Sequence, residues 1–196
     1  MSIEKKWKEI GVVVGTTSTD TYEFVISDLS ASVGDIVITK SSTPLTKDVL
    51  VWGRIVWMER TNPTFPSEFA AELARENLDM NETIGMSGSE HLRSEVQIMG
   101  CTDAKKSEAD DIILEPLTYP VKPANKVMTP DVTILNRLLS GNLKKDKPIP
   151  IGSLINRKDV EIFFKGESLC ARHLAVLAQT GGGKTVACRT IIAGLA

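Results

Sequence analysis

Long apolar runs, paired cysteines and a surplus of either charge are what this 196-residue sequence lacks. No stretch approaches the roughly 18 apolar residues of a membrane-spanning helix. The opening Met1-Ser-Ile-Glu-Lys-Lys-Trp-Lys puts charges where a signal peptide needs an apolar segment. A cytoplasmic protein with no membrane partner is the expectation. Lys and Arg number 23 against 25 Asp and Glu, a net charge of −2. No overall positive field therefore draws the chain to nucleic acid or anionic lipid, and any such contact would be local. Cys101, Cys170 and Cys188 are odd in number and far apart, with no Cys-x-x-Cys to hold zinc or haem or to form a redox dithiol. They read as reduced, mostly buried thiols. No internal repeat is present, and 42% hydrophobic with 24% charged residues fits a globular chain of one or two domains rather than disorder, collagen or coiled coil.

What is present first is β structure. Ile10-Gly-Val-Val-Val-Gly, Tyr22-Glu-Phe-Val-Ile, Asp35-Ile-Val-Ile-Thr-Lys and Val49 to Met58 are short runs of β-branched and aromatic residues separated by Thr, Ser, Asp, Gly and Pro clusters. Val33-Gly34-Asp35 places a glycine where a tight turn needs positive φ, and Gly53 would let a long strand bend at a corner, which favours a closed barrel over an open sheet. Glu95 to Cys101 alternates cleanly, and Asp111 to Pro116 reads as a further strand. Trp52 and Trp57 fall on opposite faces of a regular strand unless a bulge at Gly53 intervenes.

Between residues 62 and 93 the character changes. Ser67 is a candidate N-cap for a helix that carries Phe69, Ala70, Leu73 and Asn77 on one stripe, and Met80 to Ser94 reads as a mobile loop. Pro116, Pro120, Pro123, Pro130, Pro148 and Pro150 then punctuate a segment expected to be linker over 121–150, interrupted by one or two helical turns around Val132 to Leu139 that close at Gly141-Asn142. The basic cluster Leu143-Lys-Lys-Asp-Lys-Pro reads as solvated linker. A second unit follows with strands at Val160 to Phe164 and, of buried type, Leu174 to Ala178.

Ala178-Gln-Thr-Gly-Gly-Gly-Lys-Thr185 lies directly between that last strand and the helical pattern from Val186. Strand, glycine loop, Lys-Thr and helix is the context of a phosphate-binding loop. Gly181, Gly182 and Gly183 let backbone N–H groups converge on phosphate oxygens, and the helix points its positive end at the same anion. Lys184 would reach the β- and γ-phosphates of ATP and Thr185 would ligate Mg2+, with Thr180 and Val186 flanking the cradle. Ala178 departs from the pattern, whose first position is glycine. A GTPase is set aside because Asn125-Lys126-Val127-Met128 lacks the guanine-reading Asp and precedes the loop.

A β-rich N-terminal unit, a linker, Pro150-Ile-Gly-Ser-Leu-Ile and Ala171-Arg-His-Leu-Ala-Val-Leu-Ala-Gln-Thr-Gly-Gly-Gly-Lys-Thr together resemble the HerA helicases of the FtsK/HerA superfamily. The likeness is strongest at 150–190 and at Gly11-Val-Val-Val-Gly15. It implies a small closed β-barrel of HAS-barrel type over 1–120, with a helical insertion at 62–93, a linker at 121–150, and the first strand, loop and helix of a RecA-like α/β domain over 151–196. It further implies a hexameric, ATP-dependent translocase on double-stranded DNA that works with a NurA-type nuclease at double-strand breaks. In related loops the Gly182 position is often Ser, and Arg172 and His173 fit the local pattern. Residues 151–196 hold the loop without the later Mg2+-binding acid, the water-activating acid or an arginine finger, so this chain alone is expected to hydrolyse ATP at background rate. Ile191, Ile192 and Leu195 would pack on a parallel sheet that is mostly not encoded, and the folded core is expected over about 8–120. An alternative is a barrel that mediates assembly or partner docking without ATPase activity of its own. A nucleic-acid-binding barrel of OB type would need a basic groove with stacking aromatics, against which the acidic balance weighs.

Overall fold

In the computed structural model the described residues are 7–27, 30–42, 48–61, 91–104, 112–141, 148–166, 169, 171 and 173–195. The helix expected in the insertion, with Ser67, Phe69, Ala70, Leu73 and Asn77, the basic cluster at 143–147, Cys170 and Arg172 lie outside them, as does most of the acidic stretch from 103 to 110.

Six antiparallel strands close a barrel in the order β1-β2-β5-β4-β3-β6. They are β1 (Lys8–Thr17), β2 (Thr21–Ile26), β3 (Ile36–Ser41), β4 (Val49–Thr61), β5 (His91–Asp103) and β6 (Lys126–Thr129). Alternation sorts β3 and β4 between two cores. Val37, Val51, Ile55, Phe24, Tyr22 and Val96 fill the barrel interior with Ile10, Val13 and Val127. Ile36, Ile38, Leu50 and Trp52 point outward into a second cluster with Ile134, Leu135 and Val160. That outer cluster is capped by α1 (Val132–Ser140), which Asp131 starts by accepting from Ile134 N at 2.9 Å and Gly141 ends at φ 66 by donating to Arg137 O.

Gly34 has φ 99, as the tight turn before β3 requires, and its N–H donates to Ile55 O. At Gly53 a Cβ would overlap the Val96 side chain and stand 3.0 Å from Gln97 O, so the strands approach there as only glycine permits. The register shifts on either side of this point. Met99 is the extra residue opposite Trp52 and Gly53, and Val56 is extra between Ile55 and Trp57. Both shifts are bulges of the pair, but the one whose extra residue lies on β4 itself falls at Val56, while the one at Gly53 has its extra residue on β5. The Val56 bulge turns Met58 toward the interior core and leaves Trp57 43% exposed on the outer side, the side on which Trp52 is buried beneath α1.

Four expectations are corrected. Residues 126–129, in the proline-punctuated segment read as linker, form the strand that closes the barrel, because the four residues between Asn125 and Pro130 carry no proline and can pair on both sides with β1 and β3. His91 to Ser94 belong to β5 and not to a loop, since they pair with β2 and β4. The strand expected over 111–116 reduces, among the described residues, to one bridge between Cys101 and Glu115. Leu174 to Ala178 carries no ladder: Leu174 is 49% and Leu177 91% exposed, where a parallel strand needs neighbours and covered faces.

Beyond the barrel, β7 (Pro148–Ser153) and β8 (Glu161–Lys165) form a two-stranded antiparallel sheet, and α2 (Lys184–Leu195) packs on β7. Within α2, Ile191 is buried, while Ile192 is 66% exposed.

Candidate functional site

The glycine loop precedes α2 directly, with the turn at Thr180–Gly181 and the helix opening at Lys184. Gly181 and Gly183 adopt φ 83 and 78, a region that side chains other than glycine's rarely enter, and a Cβ at either would meet nothing within 4 Å. Gly182 differs. Its φ is not positive, and a Cβ there would stand 3.0 Å from Gln179 O and 3.1 Å from Ala178 Cβ.

The loop is tied by its own backbone. Gly182 N–H donates to Gln179 O at 3.0 Å, and Ala187 N–H donates to Gly183 O, the bond that ties the loop to the start of α2. Lys184 Nζ reaches back and donates to Ala178 O at 2.8 Å, so the ammonium crosses from the helix start to the loop entrance. Residues Thr180 to Val186 are all solvent-exposed. A helix start whose first amides have no intrahelical acceptors, a positive side chain folded over it, and glycines that leave the backbone uncovered suit an anion of phosphate size.

Of the residues singled out in the sequence, the structure brings Thr180, Gly181, Gly182, Gly183, Lys184, Thr185 and Val186 together in this one turn. His173 is exposed, and the other histidine, His91, begins β5. Among the described residues no cluster of three or more His, Cys, Asp or Glu could hold a metal, and no helix is long and apolar enough to cross a membrane. Cys101 and Cys188 are free and half-buried; burial, with Glu115 nearby, pushes the Cys101 thiol up.

Sequence reasoning missed the support of the loop. β7 holds Pro148 and Pro150, which hid it, yet it carries the fully buried Ile149 against which α2 rests. The available signal was the alternation of Ile149 and Ile151 with small or cyclic residues.

The profile of the HerA helicase central domain matches residues 149–196, the span from β7 through the loop to α2. The DNA double-strand break repair helicase HerA of Pyrococcus furiosus is 30% identical over 190 residues, covering 95% of this chain and 31% of that protein. A probable helicase of Methanocaldococcus jannaschii is 28% identical over 180 residues, 90% of this chain and 31% of its own length. A probable DNA double-strand break repair helicase HerA of the same organism is 29% identical over 144 residues, 67% of this chain and 26% of its own length. The chain spans less than a third of each of these relatives.

Proposed function

The chain is a relative of the HerA helicases, and from that premise we propose that it is the N-terminal part of an ATP-dependent DNA translocase or helicase. The observation that carries this reading is the loop itself: two glycines at positive φ opening directly onto the helix that begins with Lys184 and Thr185. In it the backbone of Thr180 to Thr185 would hold the β- and γ-phosphates of ATP, Lys184, which now donates to Ala178 O, would turn to phosphate oxygens, and the Thr185 hydroxyl would ligate Mg2+. The chemistry that Mg2+ would supply there is charge neutralisation at the phosphates. Val186 follows the cradle on the exposed side of α2.

The intact protein would act on double-stranded DNA as a homo-oligomer, a hexamer, in the cytoplasm, processing break ends with a NurA-type nuclease. Residues 1–120 with their continuation through β6 form the barrel, and residues 151–196 begin the motor. A fluorescent ADP analogue with Mg2+ tests the reading: saturable binding by the wild type and its loss in Lys184→Ala support it, and equal binding by both overturns it.

A second reading, assembly or partner docking through the barrel, is favoured by Trp57 and Met99, two large apolar side chains each 43% exposed beside the two bulges of the β4–β5 pair. Light scattering of the wild type and Trp57→Ser separates it: a larger species that dissociates in the variant supports docking through this wall.

A further inference from the structure

Three consecutive glycines in the loop are glycine for different reasons. Gly181 and Gly183 have positive φ and open space around a Cβ, so the backbone demands them. Gly182 has no such φ; there it is space that crowds a side chain. A Cβ at 182 would lie 3.1 Å from Ala178 Cβ, inside the roughly 3.5–4.0 Å of an unstrained carbon contact. Ala178 is also the residue that replaces the pattern's first glycine, and its carbonyl accepts from Lys184 Nζ at 2.8 Å.

We propose that Ala178 is a positioning residue for the phosphate loop: its methyl braces the turn at Gly182 while its carbonyl holds Lys184 across the loop entrance, so positions 178 and 182 accommodate one side chain between them. The inference rests on the nucleotide reading above and adds to it which residue preorganises the cradle. Alanine restricts the backbone at 178 where glycine would not, and a loop already ordered loses less freedom when an anion arrives. The Gln179 carbonyl, 3.0 Å from the same added Cβ, sets the second wall of the space and makes any relief at 178 incomplete.

The test is a cycle in the full chain of Ala178→Gly, Gly182→Ala and the double variant, with Lys184→Ala as reference, read by a fluorescent ADP analogue with Mg2+ and by backbone amide NMR shifts of residues 179–185 without nucleotide. Ala178→Gly is expected to weaken binding about 3-fold or more through lost preorganisation, and Gly182→Ala about 10-fold or more. The double variant is expected to bind tighter than Gly182→Ala and to return the amide shifts toward those of Ala178→Gly. Wild-type binding by Gly182→Ala, or a double variant that multiplies the two single losses, overturns the proposal. Absence of binding by the wild type, with the amide shifts still restored in the double variant, overturns the nucleotide reading and leaves the steric pair standing; failure of the shifts to return overturns the pair.

Discussion

Gly194 of α2 lies so close to Ile149 of β7 that a Cβ added to it would stand 2.5 Å from Ile149 Cγ2 and 3.1 Å from Cγ1. This contact seats the helix that follows the glycine loop. Ile149 is fully buried and pairs with Phe164 of β8. The β7–β8 unit is in turn fastened to the barrel: Val160 is buried in the outer cluster with Ile36 and Trp52, Phe163 N–H donates to Ser140 Oγ, and Asn156 Nδ2 donates to Val33 O at 2.8 Å. The candidate site and the barrel are therefore joined by packing through a two-stranded sheet.

Substituting Gly194→Ala tests that seat. Helix propensity favours alanine, by less than about 1 kcal/mol so near the helix end, while overpacking against a β-branched neighbour costs about 1–3 kcal/mol. The expected result is a net loss of about 1 kcal/mol in urea-induced unfolding. An unchanged or higher midpoint would mean that α2 does not rest on Ile149.

Beneath α1, Trp52 Nε1 donates to Thr102 Oγ1 at 3.0 Å, a buried bond that joins β4 to β5 across the outer cluster. Thr102→Val keeps the shape and strands the indole N–H, which is expected to cost about 1–3 kcal/mol. Trp52→Phe removes the donor and much volume. The double variant is expected to lose about 1 kcal/mol less than the sum of the two single losses, because the bond can be broken only once. Strict additivity in denaturant titrations would contradict the pairing.

Tyr22 is buried in the barrel interior, its hydroxyl has no hydrogen-bond partner among the described residues, and burial pushes its ionisation well above the ordinary phenol range. Between the unfolded value, about 10, and the raised folded one, the native chain holds more protons than the unfolded chain. Its contribution to stability is thus complete below about pH 10 and falls as pH rises beyond that. Tyr22→Phe removes an unpaired polar atom, so it is expected to be neutral or stabilising at pH 7 and to flatten the alkaline loss. Guanidinium unfolding at pH 7 and pH 10.5 measures both; a loss above about 1 kcal/mol at pH 7 would show that the hydroxyl is satisfied.

The barrel strands were legible where residues alternate without proline. β1 to β4 stand where the β-branched runs place them, and the Gly34 turn has the φ its sequence demands. What was not legible came from pairing that only the folded chain supplies. β6 is four residues between turn and proline, and nothing local distinguishes it from linker until β1 and β3 present open edges. The two tryptophans were misphased because the bulge depends on the cross-strand register at Val56, and register belongs to two strands at once. Leu174 to Ala178 has the composition of a buried parallel strand, but a ladder requires a neighbour as well as a composition. The glycine loop was legible as a unit because its chemistry is local: positive φ, helix start and lysine all lie within eight residues of sequence, from Ala178 to Thr185. Its support by Ile149 was not, since that contact joins positions far apart in the chain.

Hydrogen exchange of the wild type and Lys184→Ala, with and without Mg2+ and ATP, tests the central claim that the loop holds the phosphates. The expected result is new protection confined to amides of residues 180–187 in the wild type and its absence in Lys184→Ala. Protection centred elsewhere in the chain, or equal protection in both proteins, would contradict the assignment of this loop as the nucleotide site.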